Sequence, residues 1–272
     1  MPIWSCVTPG SEAAEVLQPI KRYIKARLQR ILGYRRYLRL FSIFKIKTLG
    51  FDSRERGFMY FLSMLPERGI VLDIGANLGF LTFHLAKKVK DGHVLAFEPM
   101  PDNLDTLRYI VSRFKLSNVV VEPCALGEQE GVVDMVLPMR GKSREQGLCH
   151  VLTAEEGSNG GEVVSVPMRK LDNISGLLSD KDGERVVGIK IDVENFESHV
   201  LKGGLNMIQH HRPLIYLELM DNENRRCCLE LARTIGYEPK VFSDGELVNF
   251  DQRTHADCIN VFLLYRGSCG SQ

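Results

Sequence analysis

Residues 69–122 alternate between short apolar runs and amphipathic stretches, and few folds are compatible with this alternation. The apolar runs have the length of buried strands and lie at 70–74, 93–97 and 118–122. Between them, two stretches carry apolar residues at helical spacing, at 78–89 and 101–114. Parallel neighbouring strands need helical crossovers of this kind, so the alternation predicts an α/β fold with a doubly wound, mostly parallel sheet.

The alternation resumes in the last third of the chain and extends the predicted sheet to seven strands. The further elements are strands at 186–193, 213–219, 238–242 and 259–265, with helices at 196–209 and 222–235. Two more apolar runs, at 132–137 and 162–166, predict an inserted β-hairpin. Residues 139–161 hold five glycines without a clear period, which is typical of a loop that acts as a lid.

The chain divides into a main domain and a basic N-terminal extension. Residues 16–51 carry ten Lys or Arg and no Asp or Glu. We expect tails at 1–15 and 267–272, a helical extension at 16–64 and the main domain at 65–266. The extension either packs on the main domain with its basic face in solvent, or its segment 17–47 lies on an anionic membrane or binds an anionic glycolipid or carrier.

Composition and cysteine usage exclude several functional classes. The 272 residues carry a net charge of +1, so no overall charge draws the chain to nucleic acid. Seven cysteines, an odd number without a C-x-x-C pair, support neither a zinc site nor a disulfide framework. The chain starts without a secretory signal pattern, and no apolar run is long enough to span a bilayer. We therefore expect a cytoplasmic protein, peripheral at a membrane if the second interpretation of the extension holds.

The first candidate site is a glycine loop that connects the predicted strand at 70–74 to the following helix. Its key residues are Asp73, Gly75, Asn77 and Gly79. Glycines let the backbone approach a ligand closely, and a helix start offers N–H groups to a carboxylate. Asp73 is in a position to meet an ammonium group, directly or through water. A carboxylate next to an ammonium describes an amino acid end, such as the methionine part of S-adenosylmethionine.

Glu98 ends the next predicted strand and completes a nucleoside site. A carboxylate there accepts hydrogen bonds from both ribose hydroxyls. A nicotinamide dinucleotide is the competing ligand, but its G-x-G-x-x-G fingerprint is absent because Asn77 stands where a middle glycine belongs. Asp73 would also repel a pyrophosphate. A glycine turn without any ligand is the third interpretation.

A second cluster of carboxylates follows the predicted strand at 186–193. Asp192, Glu194 and Glu197 occur within six residues, at the strand end where ligands bind in open α/β sheets. The structural alternative is that Asp192 or Glu194 caps the following helix. Glu197, on that helix, is equally compatible with a solvent-exposed position.

Five segments occur in the order LDIGANLGF, AFEPMPDN, CALGEQEG, IKIDVENFE and RPLIYLEL. In this combination the chain resembles the FkbM-type family of S-adenosylmethionine-dependent methyltransferases, over residues 65–265. The resemblance implies a Rossmann-like class I methyltransferase fold and O-methylation of hydroxyl groups on sugars and natural products. One departure is Asn195, where the family has Gly, and it bears on the turn after Asp192.

The resemblance also implies roles for individual residues. The cofactor-binding residues are Asp73, Gly75, Asn77, Gly79, Glu98, Ala125 and Leu126, with Ala125 and Leu126 near the adenine. Asp192 and Glu194 match the acidic strand end that faces the transferred methyl, and Glu218 matches the acid that closes the strand RPLIYLEL. The expected acceptor is a small molecule or a glycan.

Methyl transfer to a hydroxyl needs alignment of the reactants and a base near the acceptor oxygen. Asp192, Glu194, Glu218 and His150 are candidate bases, although His150 is also compatible with a lid residue without a catalytic role, and His84 is interpreted as scaffold. In an alternative mechanism, Asp192, Glu218, Asp221 and Asn222 surround a magnesium ion. Helix capping by Asp221 and Asn222 is the alternative that we favour. A non-catalytic binding protein and a nicotinamide oxidoreductase are the competing functions.

Overall fold

The computed structural model of the protein describes residues 23–140, 143–144, 148–152, 161–178 and 184–268. The expected tail at 1–15, the start of the extension at 16–22, most of the expected lid and residues 269–272 lie outside these ranges.

The helices alternate with strands, as the sequence predicts. The helices are α1, described over 23–32, α2 (Tyr34–Thr48), α3 (Arg56–Met64), α4 (Phe80–Lys88), α5 (Pro101–Arg113), α6 (Glu197–Gly203), α7 (Leu205–His211) and α8 (Glu223–Thr234). The strands of the main sheet are β1 (Ile70–Ile74), β2 (His93–Phe97), β3 (Val119–Glu122), β10 (Val186–Ile191), β11 (Leu214–Glu218), β12 (Tyr237–Ser243), β13 (Glu246–Asn249) and β14 (Asn260–Tyr265).

The main sheet confirms the Rossmann-like α/β fold. Its order within the described residues is β13-β12-β14-β11-β10-β1-β2-β3. The five strands from β3 to β11 run parallel, while β14 is antiparallel to β11 and β12. Helices cover both faces. Val71 of β1 packs with Phe61 of α3 and Leu85 of α4, while Leu72 belongs to the cluster that holds Val200 of α6. This alternation buries a central strand on both sides.

The predicted number of strands was wrong, because the described part of the sheet has eight strands and a mixed edge. The additional strand β13 forms a hairpin with β12, in which Ser243 pairs with Glu246. The connecting residues Asp244 and Gly245 both have positive φ, 51° and 97°. An Asp-Gly pair between apolar runs is the standard signal for such a two-residue turn, so the sequence does contain the information.

The single helix predicted over 196–209 was also wrong. The chain forms two short helices, α6 and α7, that meet at Gly204. A Cβ at Gly203 would lie 2.0 Å from the carbonyl oxygen of Gly127, and one at Gly204 would lie 2.7 Å from Leu171. The backbone comes this close to its neighbours because these positions have no side chain, and the helix breaks there.

The inserted hairpin is confirmed and is part of a small second sheet. Strands β5 (Gly131–Leu137) and β9 (Glu162–Arg169) form the antiparallel pair, flanked by β4 (Ala125–Leu126) and β8 (His150–Val151). Two further short strands, β6 (Met139–Arg140) and β7 (Ser143–Arg144), pair with each other. The lid interpretation of 139–161 stays a prediction, since most of this segment lies outside the described residues.

The N-terminal extension packs on the core, as the first interpretation expects. Gly33, with φ 74°, separates α1 from α2. The Ser42 hydroxyl of α2 donates to the carbonyl of Leu78 at 2.8 Å, and Arg35 and Arg39 form ion pairs with acids of α5. The division at residue 65 stays a prediction, although α3 contributes Phe61, which stacks on Tyr216 of β11.

Among the helices that the structure describes, we find none with the length and apolar character needed to cross a membrane.

Candidate active site

A cavity lies at the carboxyl ends of β1, β2 and β10, and the small second sheet covers it. Seven of the residues that the sequence assigns to the site lie on its wall: Gly75, Asn77, Glu98, Ala125, Leu126, Asp192 and Glu194. Three others, Asp73, Gly79 and Glu218, do not line it. This is the edge of an open parallel sheet where ligands are expected to bind.

The loop glycines allow close packing of backbone on backbone. Gly75 has φ 76°, and a Cβ there would lie 1.9 Å from the carbonyl oxygen of Asp192. Gly79 has φ 78°, and its Cβ would lie 2.7 Å from Leu107 of α5. Gly75 therefore lets the loop after β1 touch the turn after β10, and Gly79 lets the start of α4 approach α5.

The loop amides are held by the end of β2. The N–H groups of Gly75 and Ala76 donate to the carbonyl of Phe97 at 3.1 and 3.0 Å, and the N–H of Asn77 donates to Glu98 at 2.7 Å. These three donors are engaged within the protein. A ligand carboxylate therefore has to use other groups, and the N-terminal amides of α4 remain the sequence-based proposal.

Asn77 is the loop residue that presents an unused polar atom. It lies on the cavity wall with φ 49°, a left-handed conformation that Asn tolerates. Within the described part of the protein, its Oδ1 is buried without a hydrogen-bond partner. A buried acceptor without a partner is costly, so this atom fits a polar ligand that donates to it.

Asp73 lies beneath the loop and is fully buried. One carboxylate oxygen accepts from the Thr82 hydroxyl at 2.6 Å, and the other lies 3.2 Å from the Lys190 ammonium. This corrects the expectation of direct contact with a ligand ammonium, because a protein ammonium already occupies that place. A contact through water stays a prediction.

Lys190 is the main residue of the site that sequence reasoning missed. Its buried Nζ donates to the carbonyl of Gly75 at 2.7 Å and lies 3.7 Å from Asp192. Burial lowers the pKa of Lys190, but the charges of Asp73 and Asp192 outweigh it and raise that pKa overall. The signal was a lysine within the apolar run Val186–Ile191, since lysine is almost never buried without a partner.

Glu98 reaches the cavity wall from the end of β2 and is 4% exposed. Burial raises its pKa to about 7, although hydrogen bonds from the amides of Met100 and Asn77 act in the opposite direction. Each carboxylate oxygen can accept more than one hydrogen bond, so ligand hydroxyls can share it with the loop.

The small second sheet supplies the apolar wall of the cavity. Ala125 and Leu126 of β4 are both buried there, next to Met135 of β5 and Val151 of β8. An apolar slot of this kind fits a flat aromatic ring, as the resemblance implies for Ala125 and Leu126.

The candidate bases lie at neighbouring strand ends. Ile191 pairs with Leu217, so Asp192 and Glu218 follow on adjacent strands. Burial, followed by the charges of Asp192 and Glu218, raises the pKa of Glu194 to about 8. Burial and then Asp192 raise the pKa of Glu218 to about 7. Asp192 and Glu194 line the cavity, whereas Glu218 does not.

The turn after Asp192 is stabilised by Glu197 rather than by the residues expected to cap α6. Glu197 is 2% exposed and accepts from the amides of Val193 and Asn195 at 3.3 and 3.2 Å, and from the Asn224 side chain. Phe196 is the N-cap, without a side-chain cap, so the capping interpretation of Asp192 and Glu194 was wrong. Asn195 has φ 71°, which explains why it can replace Gly in this turn.

Two of the four side chains that could surround a magnesium ion, Asp221 and Asn222, make other contacts in the structure. Asn222 caps α8 by accepting from the Arg225 amide at 3.2 Å, and Asp221 accepts from Gln252 at 2.8 Å. Over the described residues, no group of three or more His, Cys, Asp or Glu side chains is placed to hold a metal ion. Helix capping thus accounts for Asn222 as predicted, but the same prediction for Asp221 was wrong, since its carboxylate contacts the side chains of Gln252 and Arg225 instead.

Neither His150 nor His84 lines the cavity, although the neighbours of His150, Cys149 and Val151, do. His150 of β8 pairs with Val136 of β5, and the Nδ1 atom of His150 lies 3.0 Å from the carbonyl oxygen of Leu148. His84 lies 3.2 Å from the carbonyl oxygen of Ile46, between α4 and α2, and burial lowers its pKa. His84 thus has the scaffold position expected for it.

Comparison with known proteins identifies similar chains. The family model described as the methyltransferase FkbM domain matches residues 73–256. Methyltransferase sdnD of Sordaria araneosa is 29% identical over 164 residues, covering 53% of this chain and 63% of the relative. Methyltransferase 1 of Beauveria bassiana is 29% identical over 160 residues, covering 53% and 61%. The matched region thus spans less than two thirds of the length of either relative.

Among solved structures, methyltransferase FkbM from Methylobacillus flagellatus matches with a TM-score of 0.47 and 19% identity, covering 74% of this chain and 44% of that one.

Proposed function

The chain belongs to the methyltransferase FkbM domain family, and from this premise we propose that it transfers a methyl group from S-adenosylmethionine to a hydroxyl oxygen of a sugar, glycolipid or other natural product. One observation carries the proposal: a single cavity presents the buried Glu98 from the end of β2 and the acids Asp192 and Glu194 after β10. These are the groups that a ribose and a sulfonium centre would need.

The residues of the cavity fit the cofactor. Glu98 would accept from the ribose hydroxyls, Asn77 Oδ1 would accept a further hydrogen bond, and Ala125 and Leu126 would pack on the adenine. S-adenosylmethionine supplies a methyl group on a positively charged sulfur, and its departure leaves a neutral thioether. The carboxylate of Asp192, and that of Glu194 when it is ionised, favour binding of the cationic cofactor over binding of its neutral product.

The protein's own contribution is alignment, exclusion of water and acceptance of a proton. The apolar wall made by β4, β5 and β8 would shield the adenine side of a bound cofactor from water. A sugar hydroxyl is a weak nucleophile, so Asp192 or Glu194 accepts its proton as the new oxygen–carbon bond forms. Glu194 takes the proton best when the pH exceeds its raised pKa of about 8.

The geometry argues against the dinucleotide alternative. A pyrophosphate would need the amides of the glycine loop, and those of Gly75, Ala76 and Asn77 donate to Phe97 and Glu98. Asp73 also places a buried carboxylate beneath that loop, and its charge would repel a pyrophosphate.

We propose a small-molecule or glycan acceptor in the cytoplasm. The free cysteines among the described residues are compatible with a reducing compartment.

The test combines binding with product identification. Calorimetric titration of the full chain should show S-adenosylmethionine binding, and Glu98→Gln should weaken it about tenfold because a charge-assisted hydrogen bond is lost. Glu230→Gln, an exposed change on α8, is the matched control. Transfer of a labelled methyl group to fractionated extracts, followed by mass spectrometry, then identifies the acceptor. Binding of a nicotinamide dinucleotide without binding of S-adenosylmethionine would refute the proposal.

A further inference from the structure

One face of α2 is exposed and combines apolar with basic side chains. Arg36, Leu40, Phe44 and Lys47 follow one another at intervals of three or four residues, so they lie on one side of the helix. Phe51 lies at the end of the short 3₁₀ helix Leu49–Phe51 that follows α2, and it is also exposed. We call these five residues the α2 stripe. Leu40 is 53% exposed, Phe44 60% and Phe51 91%.

The opposite face of α2 fixes the helix on the protein. Leu38, Ser42 and Ile46 are buried, and the Ser42 hydroxyl donates to the Leu78 carbonyl next to the glycine loop. The α2 stripe therefore lies on the face of the helix opposite to the one that packs on the core. It makes no contribution to the core that would explain its apolar side chains.

Exposed apolar side chains are concentrated in this part of the molecule. Of the sixteen large apolar residues exposed in the described ranges, ten lie between residues 23 and 64. Ile24, Leu28 and Ile31 give α1 a similar exposed row. Such a concentration of exposed apolar side chains is typical of a binding surface.

The charges of the same segment have one sign. Residues 23–51 contain eight Lys or Arg and no Asp or Glu. Arg35, Arg39 and Lys45 face acids of the protein and are paired with them. Arg36 and Lys47 of the α2 stripe are exposed beside its apolar residues instead.

We propose that the α2 stripe binds the surface of a membrane containing anionic phospholipids, with α2 lying in the interface. Apolar side chains between basic ones are the composition of helices that lie at such surfaces. Anionic headgroups complement Arg36 and Lys47, whereas a second copy of the chain would bring the same positive charges together. The proposal is independent of the methyl-transfer chemistry.

Vesicle co-sedimentation of the full chain tests the proposal. We expect binding to vesicles of phosphatidylcholine mixed with phosphatidylglycerol, and at least about tenfold weaker binding to phosphatidylcholine alone. Phe44→Ser combined with Phe51→Ser should reduce binding about tenfold or more, because both rings leave the interface. Arg36→Gln combined with Lys47→Gln should reduce it roughly fivefold per charge and weaken its dependence on salt.

The control removes two exposed apolar residues elsewhere. Val132→Ser combined with Val163→Ser changes the inserted hairpin, where both side chains are exposed, and should leave vesicle binding unchanged. Circular dichroism confirms that each variant folds. Equal binding to both vesicle types, no binding of the wild-type chain, or unchanged binding of the Phe44→Ser, Phe51→Ser variant would overturn the proposal. A dimer in sedimentation that this variant abolishes would also overturn it, in favour of a second copy.

Discussion

Asp73 and Asp192 are the same residue type at the ends of adjacent strands, and they share one cation. The Lys190 ammonium lies 3.2 Å from Asp73 and 3.7 Å from Asp192. The Asp73 side chain is completely buried beneath the glycine loop, whereas 32% of the Asp192 side chain is exposed and lines the cavity. The first carboxylate supports the loop, and the second is available to ligands. Position relative to solvent, more than residue type, separates a buried structural acid from one that a ligand can reach.

Removing the shared cation should have the largest effect. Lys190→Met leaves the buried Asp73 without its counterion and the Gly75 carbonyl without its donor. We expect a loss of about 3–5 kcal/mol in the free energy of unfolding, measured with denaturant. The double variant Asp73→Asn, Lys190→Met should recover part of this loss. If the two single changes and the double change were simply additive, the supporting ion pair would not exist as described.

Neutralising each acid should separate the two roles. Asp192→Asn should lower kcat about hundredfold, because it changes a carboxylate on the cavity wall, and it should change stability little. Asp73→Asn should mainly lower stability, because Lys190 loses a buried partner. Initial rates with labelled cofactor and denaturant curves measure both. A loss of stability for Asp192→Asn as large as for Asp73→Asn would remove the distinction.

Forcing the loop away from the turn after β10 should have a smaller effect on stability. In Gly75→Ala the new Cβ would meet the Asp192 carbonyl at 1.9 Å. Gly176→Ala is the matched control, since Gly176 also has a positive φ of 88° but no atom within 4 Å of its Cβ position. We expect Gly75→Ala to cost about 1–3 kcal/mol more than the control in thermal unfolding, and to weaken cofactor binding. Equal losses of stability in the two variants would mean that the strain of alanine at a positive φ, and not the contact with Asp192, causes the effect.

The smallest expected effect is on the pH dependence of cofactor binding. Burial and nearby carboxylates raise the pKa of Glu194 to about 8, so Glu194 is largely protonated at neutral pH. A cationic sulfonium favours the ionised form and lowers the pKa of Glu194 in the complex, so the affinity should rise with pH, by at most about tenfold per pH unit, and level off above about pH 8. The demethylated product, with a neutral sulfur, should show a weaker rise. Calorimetry at several pH values compares the two ligands.

Two variants test whether Glu194 is the group that makes cofactor binding depend on pH. Glu194→Gln should remove the difference in pH dependence between the two ligands, and the exposed Glu230→Gln should not.

The raised pKa of Glu194 also makes the stability of the folded protein depend on pH. Between about pH 4.5 and 8 the unfolded chain has an ionised Glu194 while the folded protein keeps it protonated, so its contribution to stability falls as the pH rises through this window.

Much of the fold could be predicted from the sequence because its signals are local. The apolar run at 70–74 and the helix that ends near Thr234 follow from periodicity within a few residues. The signal for the Asp244–Gly245 turn is equally local, although the sequence-based prediction did not include that turn. The break at Gly204 was not predictable in this way, because it depends on Leu171 and Gly127, which are distant in the chain.

Short stretches of sequence were enough to establish the alternation of strands and helices in the main sheet, the family and most segments that surround the cavity, since periodicity, turn residues and motifs are local properties. Which acid is buried and which is available follows only from the three-dimensional packing. Lys190 and Gly75 are 115 positions apart, and their contact exists only because β10 lies beside β1 in register. Burial and electrostatic pairing depend on such distant neighbours, so no local pattern could separate Asp73 from Asp192.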